Sequence, residues 1–423
     1  MTTDGLPPFW PTRRLGELLA RPLAYGVLKP GAYVPGGVPL VRIQDVHTGY
    51  LDAEKMHKIS PVLHEEFRRT KLVGGEILLS IVGTIGKVVE VPRSLSGANI
   101  SRALCVLGPS AEIERRFLRY VLTSIRVQDW VLKEGRGNAQ AVLNLGLLRE
   151  LTVQVPPLPE QRKIAAILSA VDEAIEGTQA VIDQLQVVKK AMMAELLTRG
   201  LPNRHTRFKH TEIGVIPESW EVVRLGDLAV RVTKGTTPPT GGEKYSESGI
   251  PFVRVENIGA HGDLILDGVK YVSRATHETL ARSQLRANDV LFSIAGALGR
   301  VAVVPSWMVE ANTNQAVSLI RLHEPLDAAY LSWALRSPPV EGQISLQRAA
   351  LAQANLSLEQ VGKLRIAWPP PEERSRLTQV LTSCVNSMAS ESAVLNEFRL
   401  LKSALMSVLL TGELRVTPDE ATP

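Results

Sequence analysis

Two stretches of the chain carry apolar residues at alternating spacings of four and three. The first runs Ile164, Leu168, Val171, Ile175, Ile182, Leu185, Met192, Leu196, and 213 residues later come Leu377, Leu381, Cys384, Met388, Leu395, Phe398, Leu405 and Leu409. Both seams are interrupted by polar residues at the same two places, Thr178 and Lys189 in the first, Glu391 and Lys402 in the second. Such spacing predicts a long helix whose stripe packs against another helix. Gly177 is the one glycine or proline within either run. About 37 residues would extend roughly 55 Å, longer than a small domain needs, so the seams are expected to pair with each other. A linker as short as Thr198 to Ile216 requires that pair to be antiparallel. The polar positions are then expected to meet, Glu391 facing Lys189 and Thr178 near Lys402.

Ahead of each seam stands a proline cluster, Pro156-Pro157-Leu158-Pro159 and Pro369-Pro370-Pro371. Proline cannot continue a ladder or a helix interior but can open a helix, so each helix should begin there. Upstream, Val38 to Val46 and Ile250 to Ile258 alternate apolar and polar residues, while Glu76 to Val91 and Asp289 to Val304 are β-branched runs broken by glycine. These predict strands joined by turns. Phe117 to Val131 and Tyr330 to Leu335 read as shorter helices.

The duplication extends well beyond the helices. Ser80 recurs as Ser293, Gly83-Thr84-Ile85-Gly86-Lys87 as Gly296-Ala297-Leu298-Gly299-Arg300, Asn99 as Asn312, Gln140 as Gln353 and Glu160 as Glu373. A period of 213 residues is far too long for a solenoid, so each copy should be a folded unit followed by its helix. The fold class expected is α/β, mixed α+β. It comprises a domain over 1–155 with a helical spacer over 156–200, and a second domain over 201–368, whose 201–216 is linker, with a spacer over 369–412. A disordered tail is expected over 413–423, and an approximate two-fold axis should relate the halves.

Composition narrows the classes. The chain has 423 residues, 44% of them hydrophobic, which suits two to three domains with real cores. Two cysteines, Cys105 and Cys384, speak against a disulfide scaffold or a multi-cysteine metal cluster and suit a cytoplasmic location. The first residues lack a basic region followed by an apolar stretch, and the most apolar run, Val290 to Pro305, is interrupted by Ser293, two glycines and Arg300. Neither a signal peptide nor a membrane span is expected. A net charge of +5 permits nucleic-acid binding without demanding it. The basic segment Arg199 to His210 is either a solvated linker or a phosphate-contacting loop.

Catalytic motifs are missing. Gly83-Thr84-Ile85-Gly86-Lys87-Val88 lacks the four-residue gap of a phosphate loop and has valine where magnesium would need a hydroxyl. The acids Asp263 and Asp267 near Lys270 have no matching set in the first copy beyond Asp52, so a solvated strand end is the simpler reading.

What recurs instead is polar and able to contact bases. Val41-Arg42-Ile43-Gln44-Asp45 corresponds to Val253-Arg254-Val255-Glu256-Asn257, and alternation places Arg42 with Gln44, and Arg254 with Glu256, opposite the valines. Lys87 and Arg300 follow the glycine turns, and Arg102 corresponds to Gln315, beside Asn314. Arg136 and Asn138 correspond roughly to the segment after Arg348, and Lys234 adds a further cation. Arginine, asparagine and glutamine make bidentate contacts to purine edges, and lysine or arginine neutralises phosphate. The candidate DNA-contacting set is therefore Arg42, Gln44, Lys87, Arg102, Arg136, Asn138, Lys234, Arg254, Asn257, Arg300, Asn314, Gln315 and Arg348.

Trp10 to Leu18, Ile213-Gly214-Val215-Ile216-Pro217-Glu218-Ser219-Trp220 with Arg224-Leu225-Gly226-Asp227-Leu228, the Ser-x-x-Gly-x-x-Gly turns and Pro-Pro-x-Pro-Glu-Gln-Arg-x-Ile at 156–164 together resemble the specificity subunit of type I restriction-modification systems. The second copy departs at Pro371-Glu372-Glu373-Arg374, where the counterpart of Gln161 is an arginine, which puts the equivalence of contacts there in doubt. The resemblance implies a non-catalytic, sequence-specific DNA-binding chain with two target-recognition domains. Each domain would read half of a bipartite, gapped site in double-stranded DNA, with the helices as spacer. It also implies two methyltransferase subunits and restriction or motor subunits as partners, and those partners would bind S-adenosylmethionine, ATP and Mg2+.

Overall fold

The computed structural model describes residues 10–47, 50–53, 56–135, 141–238, 245–259, 262–349 and 355–417. The chain divides into two compact units, one of residues 1–179 with 394–423 and one of 180–393. The boundaries differ from those expected from the repeat, because each long helix contributes one half to each unit.

The first unit is built on a three-stranded antiparallel sheet in which Ile77–Ser80 lies between Val88–Glu90 and Leu104–Leu107. All four residues of Ile77–Ser80 are buried, and the strand serves two cores at once. Ile77 and Leu79 face a core with Phe117, Tyr120, Ile164 and Leu168, while Leu78 faces a smaller one with Val41, Val89 and Ile100. A second sheet sets Val38–Val41 between His57–Ile59, antiparallel, and Asn99–Ile100, parallel. Thr12–Arg14 pairs with Thr152–Gln154 and closes the domain.

The second unit repeats this plan. Val290–Ser293 lies between Val301–Val303 and Val317–Leu322, with Ala229–Lys234 added outside the last. Ile250–Val253 lies between Lys270–Val272 and Asn312–Thr313, the latter parallel. Glu221–Arg224 pairs with Arg365–Trp368, and a hairpin of Phe208–Thr211 with Gly214–Pro217 precedes them.

Three sequence expectations need correction. The strand from Val38 ends at Val41, and that from Ile250 at Val253; each gives way to a single 3-10 turn, Ile43–Asp45 and Val255–Asn257. Alternation therefore stops short of Gln44 and Glu256. The segment Phe117 to Val131 is two helices, Arg115–Thr123 and Ile125–Glu134, separated at Ser124, which caps the second. The tail is ordered as far as Thr417, since Arg415 donates two hydrogen bonds of 2.8 Å to the buried Glu160. Residues 418–423 lie outside the described residues.

The long helices span Leu158–Arg199 and Pro371–Leu409, and Gly177 does not interrupt the first. Within the first unit they run antiparallel, Asp172 pairing with Lys402 at 2.6 Å and Gln179 with Arg399 at 3.5 Å. Within the second, Leu196 shares a core with Leu377 and Leu381. The expected polar register is not adopted. Lys402 takes Asp172, while the Thr178 hydroxyl donates to its own helix at Ala174. Lys189 lies near Cys384, two turns from Glu391, and its ammonium is held below its ordinary range by burial and by the Arg336 charge. Arg119 and Tyr120 of the adjoining domain also hold Asp172, contacts that a seam pattern does not contain.

Candidate nucleic-acid interface

In each domain the parallel strand pair directs two chain segments out of the same sheet end. Ser101 N donates to Val41 O at 2.9 Å in the first unit, and the Thr313 hydroxyl donates to Val253 O at 3.0 Å in the second. The first end gathers Arg42, Gln44 and the exposed Arg102; the second gathers Arg254, Glu256, Asn314 and the exposed Gln315. Lys234 joins the second, because the next residue, Gly235, donates to Asn314 O at 3.1 Å. A Cβ on Gly235 would lie 1.6 Å from Thr313 O, so only glycine permits that approach.

Residues that look alike in sequence divide here into scaffold and surface. Asp45, 7% exposed, accepts the Arg42 amide at 2.8 Å, and Asn257, 2% exposed, accepts the Arg254 amide at 3.0 Å. This side-chain-to-backbone bond is what turns the chain out of its strand. Asn257 also donates to Ile265 O at 3.0 Å, so it is a structural residue and not the DNA contact its sequence position suggested. Lys87 donates to Val46 O at 2.8 Å, and Arg300 donates to Ile258 O at 3.0 Å and Val255 O at 3.4 Å. Both cations fasten the end of the 3-10 turn.

The glycine turns supply those two cations. The Ser80 hydroxyl donates to Thr84 O at 2.6 Å and accepts the Lys87 amide at 2.8 Å; Ser293 does the same with Ala297 O and the Arg300 amide at 2.5 and 2.7 Å. Gly86 at φ 88° and Gly299 at φ 83° occupy the left-handed region.

Below the parallel pair, buried Asn99 accepts from the Thr70 hydroxyl at 2.7 Å and reaches His64 Nδ1 at 3.3 Å. Its counterpart Asn312 lies 2.5 Å from His277 Nδ1 and donates to Ser283 Oγ at 3.0 Å. The repeat of asparagine was visible in sequence, whereas its histidine and hydroxyl partners were not singled out, although they share the same offset.

Arg348 is exposed on the helix Pro338–Ala349. Arg136 and Asn138, with Gln140 and Gln353, lie outside the described residues. Asn314 accepts the Ala316 amide at 3.1 Å, and Gln315 contacts the Thr237 hydroxyl. Of the basic segment, Arg204 and His205 turn inward to Glu373, at 3.7 and 2.7 Å. Lys209 donates to Glu218 O at 3.0 Å. The segment is thus neither a free linker nor a phosphate loop at these residues.

The proline-initiated helix starts are also matched. Trp10 donates to Glu160 at 3.2 Å and Trp220 to Glu373 at 3.0 Å. Gln161 accepts the Glu114 amide at 2.7 Å, while Arg374 holds the side chain of Asp327, the residue equivalent to Glu114. Arg374 therefore does the work of the missing glutamine. The helix-pairing positions, from Ile164, Leu168, Val171, Ile175, Ile182, Leu185, Met192 and Leu196 to Leu377, Leu381, Met388, Leu395, Phe398, Leu405 and Leu409, are all buried or half-buried.

Among the described residues no group of three or more His, Cys, Asp or Glu side chains could hold a metal, and no helix is long and apolar enough to cross a membrane.

The family profile described as "Type I restriction modification DNA specificity domain" matches residues 10–187 and 217–398. A putative type I restriction enzyme MjaX specificity subunit of Methanocaldococcus jannaschii is 26% identical over 425 residues, spanning 97% of this chain and 95% of that protein. The EcoBI specificity subunit of Escherichia coli is 29% identical over 203 residues, 45% of this chain and 43% of that protein. Among solved structures, the type I restriction-modification S subunit of M. genitalium aligns over 99% of both chains with a TM-score of 0.58 at 14% identity. A chain solved in work on assembly and conformational transition of a type I system aligns over 97% of this chain and 99% of its own, with a TM-score of 0.61 at 18% identity. The repeated domains, each followed by a long helix, and the two matched segments lead to one conclusion: this chain belongs to the type I restriction-modification DNA specificity family, as a non-catalytic specificity subunit with two target-recognition domains.

Proposed function

We propose that this chain reads an interrupted site in double-stranded DNA, one half-site per target-recognition domain, and that its long helices set the gap and carry the catalytic subunits. The observation that carries this reading is a set of scaffold contacts repeated in both domains beneath exposed positions that differ. Ser80 and Ser293 make the same contacts, Lys87 and Arg300 bond equivalent carbonyls, and Asn99 and Asn312 each meet a histidine and a hydroxyl, whereas Arg102 is replaced by Gln315 and Gln44 by Glu256. Two readers of one sequence would have no reason to differ at these exposed positions.

The spacer role is supported by helix length. A 42-residue helix rises about 63 Å, well beyond one DNA turn of roughly 34 Å. The partners are two methyltransferase subunits and restriction or motor subunits, which bind S-adenosylmethionine, ATP and Mg2+ while this chain supplies recognition. The relatives' designation as type I restriction enzyme specificity subunits favours this assembly.

The test is to assemble the chain with the methyltransferase subunits of its own system and map methylated positions on genomic DNA. The expected result is one motif with two specified halves around an unspecified gap, and exchange of residues 10–155 for another domain should change one half alone. A continuous motif, or methylation without sequence preference, would overturn the reading.

A further inference from the structure

The 3-10 turns differ at one exposed position, Gln44 in the first and Glu256 in the second. In both units the flanking residues are engaged within the protein: Arg42 and Asp45, or Arg254 and Asn257, bond to each other through backbone and side chain. Lys87 bonds the Val46 carbonyl just after the first turn, and Arg300 bonds Ile258 O just after the second and Val255 O within it. Ile43 and Val255 pack against the smaller core of each domain. That leaves one position per turn pointing outward, Gln44 in the first unit and Glu256 in the second. A single exposed side chain on a turn pinned at four points is held in place with little freedom to lose on binding.

We propose that these two residues read base edges in the major groove, Gln44 an adenine in the first half-site and Glu256 the amino group of a cytosine in the second. This rests on the two-reader function proposed above. An amide offers a donor and an acceptor together, which match adenine N6 and N7; a carboxylate offers acceptors alone, which match cytosine N4. The chemistry of the turn supports the second assignment. Arg254 Nη1 holds Glu256 Oε1 at 2.6 Å, which sets a cation beside the carboxylate to offset its repulsion from phosphate and leaves the second oxygen to face outward. In the first unit Arg42 instead lies 3.5 Å from Asp45, and Gln44 needs no counter-charge. Arg42 and Arg254 thus act as positioning residues within the turn. Arg102 and Gln315 are exposed at the same sheet ends.

The experiment uses the chain assembled with its methyltransferase subunits and compares the methylated motif of Gln44→Glu and Glu256→Gln with the unaltered complex. Both changes are close to isosteric and lie at exposed positions, so folding is not at stake. Glu256→Gln should weaken discrimination at one position of the second half-site by about 5- to 150-fold, with adenine gaining over cytosine, and leave the first half unchanged. Gln44→Glu should do the converse in the first half. Variants that methylate the unaltered motif with unchanged preference at every position would overturn this assignment while leaving the two-reader function standing. An unaltered complex without two specified halves would overturn that function itself.

Discussion

Arg374 holds Asp327 through both carboxylate oxygens, Nε to Oδ1 at 2.9 Å and Nη2 to Oδ2 at 2.8 Å, at the place where Gln161 accepts the Glu114 amide in the other half of the chain. Both arrangements tie the first turn of a long helix to the start of a domain helix. They also share a donor to the preceding proline carbonyl, Arg374 to Pro369 at 2.7 Å and Gln161 to Pro156 at 2.9 Å.

The two versions differ in cost of removal. Arg374 and Asp327 are largely buried, so Arg374→Ala leaves a carboxylate without its partner and should destabilise the second unit by about 3 kcal/mol. Arg374→Gln restores the chemistry of the first unit and should lose less. Denaturation followed by tryptophan fluorescence, to which Trp220, Trp333 and Trp368 report, measures both.

Gly177 lies mid-helix, exposed, with open space around the position a Cβ would take. Glycine costs a helix interior about 1 kcal/mol relative to alanine. Gly177→Ala should therefore raise stability by about that amount without altering the methylated motif, and a denaturant titration of the two proteins provides the comparison. A loss of stability would show that the helix needs flexibility there.

His64 is held below the ordinary imidazole value of about 6.5 by burial first and by the Lys71 charge second, and its Nδ1 faces the Asn99 amide. A depressed histidine binds fewer protons folded than unfolded. Its contribution is thus complete above about pH 6.5 and is lost as pH falls from there through the folded value. The first unit should lose stability on mild acidification, and His64→Gln should flatten that slope. Unfolding midpoints taken at several values between pH 7.5 and 5 would decide it.

Lys87 was a candidate phosphate contact, but its ammonium bonds the Val46 carbonyl. A lost phosphate contact lowers the slope of log affinity against log salt by about 0.9. Lys87→Met should leave that slope unchanged and instead blur discrimination in one half-site, because the turn that presents Gln44 loosens. Binding measured across a salt series on cognate and altered duplexes separates the two roles.

Much of this organisation was legible in the residues. The 213-residue repeat, the two long helices, their seam and their start after proline follow from spacings of three and four and from the φ restriction of proline, which act within a turn or two of chain. The glycine turns were legible for the same reason, since Ser80 and Lys87 are seven residues apart and close on each other locally.

The candidate interface was legible as a region but not as individual roles. Asn257 and Glu256 are neighbours of similar polarity, yet the first is buried against Ile265 O and the second faces outward. What separates them is the Asn257 bond to the Arg254 amide, where the strand has ended at Val253, and the reach of Arg300 to Ile258 from 42 residues away in sequence. The helix register was hidden likewise: Lys402 meets Asp172, a carboxylate that Arg119 and Tyr120 of the adjoining domain also hold, at 3.3 and 2.7 Å.

By itself, then, the sequence determined the duplicated architecture, the paired helices and the family, since periodicity, capping and repetition are properties of local spacing. Tertiary structure alone decided which polar residues serve the scaffold and which face outward. That outcome depends on the one buried carbonyl or carboxylate each side chain can reach, and such partners come from distant parts of the chain that no local pattern specifies.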